Sequence, residues 1–94
     1  MERLEKYSVR IEVRDSEGKI ILDENGNKVL GINYEVEMVE ANIEPNITRL
    51  AKELKALMPN RQINIDFSHF NTISRTYMTM YSYYVSEERF VKHT

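Results

Sequence analysis

The chain has 94 residues, of which 41% are hydrophobic and 30% are charged, and its formal net charge is −2. This length allows one domain with a thin core, and the composition is that of a globular protein, which argues against a disordered or membrane-embedded one. The absence of cysteine excludes disulfides, thiolate metal sites and cysteine nucleophiles. We therefore expect a single domain over residues 1–94.

The charge is unevenly distributed along the chain. Residues 1–47 carry six Lys/Arg against eleven Asp/Glu, and residues 48–94 carry seven against four. This split predicts one acidic and one mildly basic surface, short of the strongly basic balance of a general nucleic-acid binder. No apolar run approaches the roughly 20 residues of a spanning helix, and the first ten residues lack the apolar segment of a signal peptide. We expect a cytoplasmic protein without membrane contact.

Alternation of apolar and polar residues predicts strands in the first half of the chain. Residues 7–14 and 32–40 alternate over similar lengths, so we expect these two strands to pair. Residues 19–22 are predicted as a short strand that resumes at residues 29–30. The Asn25-Gly26 pair between them is a strong hairpin signal.

An amphipathic helix is the clearest element of the second half. Its apolar residues recur every three or four positions: Ile47, Leu50, Ala51, Leu54, Leu57 and Met58. Residues 61–67 and 72–85 are then predicted as strands, and residues 86–88 as the start of a short helix. The predicted fold class is α+β, an antiparallel sheet of about five strands (order β-β-β-α-β-β) with one amphipathic helix packed on one face.

Residues 72–85 form the one predicted strand without a polar face. Regular alternation places the tyrosines at 77, 81 and 83 on one face and the methionines at 78 and 80 on the other, so one of the two sets lies outside the core. The tyrosines could be core only, a self-association or protein interface, or a platform that stacks a nucleotide or single-stranded nucleic acid. The predicted interface or ligand-binding residues are Arg75, Tyr77, Met78, Met80, Tyr81, Tyr83 and Tyr84.

The sequence contains no recognisable catalytic, cofactor or metal motif. Its histidines, His69 and His93, are not spaced as metal ligands, and the acidic loop at residues 23–25 lacks the spacing of a calcium loop. Asp66 and Ser68 lie near His69, but no strand-to-helix elbow or oxyanion turn accompanies them. The three glycines form no phosphate-binding loop. We predict a protein that is not an enzyme and needs no cofactor or metal.

The predicted function is therefore binding, by a homodimer that forms through the Tyr/Met-rich strand at residues 72–85. Small cysteine-free proteins without motifs are often accessory factors or inhibitors from phages and mobile elements, which is the general expectation here. The alternative is a module that captures a nucleotide or single-stranded nucleic acid on the Tyr/Arg face. A candidate basic patch, or else a solvated helix face, consists of Arg49, Lys52, Lys55 and Arg61.

Overall fold

An antiparallel sheet of five strands with one α-helix against one face forms the fold, in a computed structural model that describes residues 3–28 and 31–93. The strands and the helix are β1 (Leu4–Arg14), β2 (Gly31–Val39), α1 (Ile43–Leu57), β3 (Gln62–Asn71), β4 (Thr76–Tyr84) and β5 (Arg89–Lys92). Their order across the sheet is β2-β1-β3-β4-β5. The predicted α+β class is confirmed, and so is the pairing of the two long strands β1 and β2.

The order of strands along the chain differs from the predicted one, because two strands precede the helix and three follow it. Residues 19–22 contribute only isolated bridges, at Ile20 and Leu22. Both of these apolar side chains are exposed, so no packing surface stabilises a longer strand there. The predicted continuation at residues 29–30 lies outside the described residues.

Strand β5 occupies the place of the short helix that was predicted from Ser86. Val85–Glu87 form a single 3-10 turn, and Glu88 adopts a φ of 52°, after which the chain runs back along β4. Phe90 of β5 stacks on Tyr81 of β4 with 5.8 Å between the ring centroids. This aromatic packing against the core stabilises extended backbone where local capping residues alone favoured a helix.

Two turns of the same geometry shape the arm at residues 15–28. In each turn an aspartate carboxylate, of Asp15 or of Asp23, accepts hydrogen bonds of 2.8 to 2.9 Å from the backbone N–H groups two and four residues later. Gly18 and Gly26 follow with φ of 85° and 82°, a conformation that favours glycine. The carboxylate of Asp23, in the acidic loop, therefore stabilises its own turn.

The core lies between α1 and the centre of the sheet. The strands β1 and β3 bury alternate residues, as their sequences predict, and α1 buries residues four positions apart. Burying each large aliphatic side chain contributes about 1.5–3 kcal/mol. The buried apolar residues are Tyr7, Val9, Ile11, Val13, Ile43, Ile47, Ala51, Ile63, Ile65, Phe67, Tyr81 and Val85.

One helix covers only part of this sheet. A helix is about 10 Å wide, whereas five strands spaced about 4.8 Å apart span roughly 20 Å. On the helix-facing side of edge strand β2, Ile32 remains 55% exposed and Tyr34 is also exposed. Leu57, predicted as part of the apolar helix stripe, is exposed in the last turn of α1. The opposite face of the sheet, here called the open face, has no helix on it among the described residues.

Candidate interaction surface

A β-bulge in β4 divides the tyrosine-rich strand into two segments with different orientations. The register pairs Phe67 with Tyr81 and Ser68 with Thr79, so Met80 is an extra residue on β4. The alternation predicted for residues 72–85 is therefore wrong from Met80 onward. The four tyrosines of β4 are therefore divided equally between the two faces of the sheet, because the extra residue shifts every later side chain to the other face.

Tyr81 and Tyr83, predicted as interface residues, lie on the helix-facing side and contribute to the core. Tyr81 is buried, and its hydroxyl donates a hydrogen bond to the carboxylate of Glu40. Burial, the hydrogen bond to Glu40 and the negative charge of Glu40 together raise the pKa of Tyr81 to about 12. Tyr83 is partly buried and packs against the same core. Both rings therefore pack against the core of the protein.

The exposed apolar side chains of this region lie in the turn of the β3–β4 hairpin and in the strand ends next to it. Tyr77 and Met78 are 53% and 52% exposed, and Ile73 in the turn is 94% exposed. On the open face the rings of Phe70 and Tyr77 contact each other, with 5.2 Å between their centroids. Exposed apolar residues that cluster in this way are typical of interaction surfaces, whereas isolated ones are ordinary. We call Phe70, Ile73, Tyr77 and Met78 the hairpin patch.

A groove of about 870 Å³ lies beside the hairpin patch. Its lining includes Ile73, Met78 and Met80, together with His69 and Glu5. The His69 Nε2 atom lies 3.1 Å from the Glu5 carboxylate, so these two polar side chains satisfy each other. Most of the exposed area in the groove is apolar, although Arg3, Lys6 and His93 also line it. Through Ile73 and Met78 the groove continues the hairpin patch.

The backbone of β4 is also partly unpaired beside this patch. Strand β5 pairs only with residues 81–84 of β4, and the His93 N–H donates to the Met80 carbonyl at 2.8 Å. Within residues 3–28 and 31–93, no strand pairs with residues 76–79 on that side. An unpaired edge is a template for another strand. The segment contains no charged residue that would oppose such pairing.

The remaining predicted residues of this strand lie apart from one another. Arg75 is in the turn with a φ of 56°, not on a strand face. Tyr84 is on the open face, opposite Asn64, and the guanidinium of Arg89 lies 4.6 Å from its ring centroid. The bulge residue Met80 is partly buried. Of the seven predicted interface residues, Tyr77 and Met78 belong to the hairpin patch, Tyr77 on the open face and Met78 on the helix-facing side.

The four residues of the candidate basic patch lie beside different cavities and contact different side chains. Arg49 and Lys52 line a cavity beside Glu44, and Arg49 donates to the Asn46 side chain at 3.0 Å. Lys55 forms an ion pair with Glu88 at 2.8 Å, and the hydrogen bond from Lys55 lowers the pKa of Glu88. Arg61 follows the helix and lines a different cavity, together with Asp15, Leu57 and Met58. This arrangement is that of a solvated helix face.

A polar cluster on the open face joins β3, β4 and the end of the chain. The Ser82 side chain, 2% exposed, donates to the Asp66 carboxylate at 2.6 Å and lies 2.8 Å from His93 Nε2. Arg10 contacts the other oxygen of Asp66 at 3.3 Å. Sequence reasoning missed this cluster, because the bulge sets Ser82 opposite Asp66 and the turn at Glu88 brings His93 back along β4.

This cluster contains serine, histidine and aspartate, but its hydrogen bonds do not fit nucleophilic catalysis. In a catalytic triad the histidine lies between the serine and the carboxylate and removes the serine proton. Here the Ser82 hydroxyl lies in the middle and gives its single proton to Asp66, so His93 donates to it. The group considered in the sequence is also divided, since Asp66 and Ser68 are on the open face and His69 is on the other.

We expect Ser82→Ala to lower the free energy of unfolding by about 1–3 kcal/mol, because Asp66 and His93 lose their shared partner. The matched control is Ser86→Ala, which removes an exposed hydroxyl and should change stability by less than about 0.5 kcal/mol. Urea unfolding followed by circular dichroism measures both. Equal stability of the two variants would show that the cluster contributes nothing to holding β5 against the sheet.

In the described part of the chain, no group of three or more His, Asp or Glu side chains is placed to hold a metal ion. Over the same residues, no helix has the length and apolar character needed to cross a membrane. Comparison of the chain with protein-family models, with curated proteins and with solved structures gave no match.

Proposed function

We propose that the protein is a non-enzymatic interaction protein that forms a homodimer through the hairpin patch and the unpaired edge of β4. The observation that carries this proposal is the coincidence of two features in residues 76–79: a free backbone edge and the exposed side chains of Tyr77 and Met78. The edge supplies hydrogen bonds to a second strand, and the side chains supply apolar area.

A second copy of the chain is the occupant that this edge fits. In an antiparallel pair with a two-fold axis at Met78, the Met78 side chains of the two copies lie opposite each other. Tyr77 then lies opposite Thr79 of the second copy, on the open face. No charged residue occurs in the paired segment, so self-pairing brings no like charges together. The two sheets would continue as one, with the apolar groove beside the hairpin closed by its counterpart.

We expect the wild-type protein to dimerise and Met78→Lys to weaken the dimer at least about tenfold, because two ammonium groups would meet at the two-fold axis. Met78 is half exposed in one copy, so the variant should fold normally. Leu57→Lys is the matched control, since it places the same charge at another exposed apolar position. Sedimentation equilibrium over a range of concentrations measures the dissociation constants, and circular dichroism checks the fold.

Two results would overturn the homodimer. One is a wild-type protein that stays monomeric at every concentration, and the other is an equal effect of Met78→Lys and Leu57→Lys. Ile32→Lys on β2 separates the two sheet edges: dimer loss in that variant alone would assign self-association to β2. A dimer that forms through β4 leaves two copies of its remaining surface exposed, and in our proposal these bind other proteins as an accessory factor or inhibitor does.

A second candidate, capture of a nucleotide or single-stranded nucleic acid, is favoured by a cavity of about 350 Å³ on the open face. Its lining includes Arg10, Arg14, His93 and Tyr84. However, Arg10 already pairs with Asp66, and the hydrogen bond from Arg14 lowers the pKa of Glu12, a carboxylate in the same cavity. These carboxylates repel phosphate, so the homodimer is the better supported function. A rise in Tm with a mixed nucleotide pool would favour this second candidate.

A further inference from the structure

Strand β2 forms the opposite edge of the sheet. Among the described residues, its unpaired edge is longer than the unpaired segment of β4. It has nine residues and pairs with β1 on one side. On its other side, no strand from residues 3–28 or 31–93 pairs with it. Alternate residues along that side present both an N–H and a C=O outward, which are the groups that bind an added strand. The edge contains no proline, and its glycine is at the first position.

The two faces of β2 differ sharply in chemistry. The side chains on the helix-facing side are apolar, and Ile32 and Tyr34 remain exposed there because α1 does not reach them. The side chains on the open face are Asn33, Glu35 and Glu37, all exposed. A strand added to this edge would have its own side chains directly opposite these residues, on the same two faces.

The acidic side chains of this edge outnumber their basic neighbours. Lys6 of β1 lies opposite Glu37 in the register, and its Nζ is 3.6 Å from the Glu35 carboxylate. The ion pair between Lys6 and Glu35 is exposed and therefore weak, and Glu37 forms no ion pair within residues 3–28 and 31–93. The first half of the chain, which contains β1 and β2, also has an excess of acidic residues. The charge of the edge favours a basic strand.

We propose that β2 binds an extended segment of another protein in which lysine or arginine alternates with apolar residues. The segment forms a sixth strand, with its basic side chains opposite Glu35 and Glu37 and its apolar side chains beside Tyr34 and Val36. A second copy of the chain fits this edge poorly, because self-pairing would bring two pairs of glutamates to one seam. The two edges therefore differ in the partner that they select: an uncharged edge for self-association and an acidic edge for a basic peptide.

The test uses two peptides as long as β2, both blocked at their ends and labelled with a fluorophore. Lysine and valine alternate in the first, and glutamate and valine alternate in the second. We expect the wild-type protein to bind the lysine peptide at least about tenfold more tightly than the glutamate peptide, in fluorescence anisotropy at low salt. Glu35→Lys with Glu37→Lys should reverse this preference. N-methylation of alternate peptide amides should abolish binding, since it removes the backbone donors.

Further variants keep the outcome interpretable. Glu35→Gln with Glu37→Gln removes the charge without adding repulsion from Lys6, and it should reduce the preference for the lysine peptide while leaving the fold intact. Met78→Lys should bind the lysine peptide as the wild type does, so loss of the homodimer and loss of peptide binding are separate results. Equal affinity for the two peptides, an unchanged preference after charge reversal, or full binding of the N-methylated peptide would each overturn the proposal.

Discussion

Replacing Ile65 by alanine should lower the free energy of unfolding by about 2–5 kcal/mol. Ile65 is fully buried in β3, a central strand that pairs with β1 on one side and β4 on the other. The truncation removes buried methyl groups and leaves a cavity that the surrounding strands cannot close, because both neighbours are fixed by hydrogen bonds. A protein of this size has a total stability of roughly 5–15 kcal/mol, so the variant should approach the limit of folding.

Leu57→Ala is the matched control, because it truncates an aliphatic side chain of the same size at a residue that is 77% exposed and lies outside the hairpin patch. We expect a change of less than about 0.5 kcal/mol from it. Urea unfolding followed by circular dichroism, at one fixed protein concentration, compares the two variants with the wild type. Similar losses in both variants would contradict the position of β3 at the centre of the core.

The stability of the protein should fall as the pH rises from about 10 to 12, in part because of Tyr81. The pKa of Tyr81 is about 12 in the folded state, compared with 10.0 for the free side chain. The unfolded chain therefore loses its proton first, so the stabilisation is complete below pH 10 and is lost as the pH rises through the folded-state pKa. Two pH units correspond to a contribution of up to about 2–3 kcal/mol.

Tyr81→Phe tests this assignment, because it removes the titrating hydroxyl and its hydrogen bond to Glu40. The variant should be less stable than the wild type by about 1–3 kcal/mol at pH 8, and the difference should shrink as the pH rises above 10. Tyr77→Phe, which removes an exposed hydroxyl, should follow the wild-type pH dependence. Urea unfolding between pH 8 and pH 11.5 gives the comparison. A constant difference between Tyr81→Phe and the wild type would exclude Tyr81 as the group responsible.

The sequence was a reliable guide wherever one periodicity ran without interruption. The strands β1 and β3 bury the residues that their alternation predicts. Strand β2 also alternates regularly, but Ile32 and Tyr34 on its helix-facing side remain exposed. The helix was equally clear, although it begins at Ile43, four residues before Ile47, the first of the apolar residues that predicted it. In these elements the hydrophobic pattern and the local backbone preference agree, so each residue favours the same structure.

The faces of β4 could not be predicted, because one extra residue changes all the side-chain positions that follow it. Nothing in the sequence around Met80 marks it as a bulge, since it is neither glycine nor proline. The bulge lies where β4 pairs with β3, so that Phe67 is opposite Tyr81 on the core side and Ser68 is opposite Thr79 on the open face. Of the predicted interface residues, Tyr77 and Met78 are therefore exposed, while Tyr81 and Tyr83 pack against the core.

The unpaired strand edges could not be predicted from the sequence either, but for a different reason. The order β2-β1-β3-β4-β5 decides which strands lie at the edges of the sheet. Alternation within one strand carries no information about its neighbours. Likewise His93, near the end of the chain, reaches Ser82 only because β5 folds back. Glu35 and Glu37 were visible as exposed residues, but their meaning depends on β2 being at an edge.

The position of β1 inside the sheet, between β2 and β3, also affects how the chain folds. β1 pairs with β3, and the contact between Arg10 and Asp66 joins residues 56 positions apart. During synthesis β1, β2 and the helix emerge before β3, so the edge of β1 that pairs with β3 has no hydrogen-bonding partner at that stage. Long-range pairing of this kind closes slowly, because the entropy of a large loop is lost before the contact is gained. We therefore expect the nascent chain to expose this unpaired edge of β1 to other strands until β3 has left the ribosome.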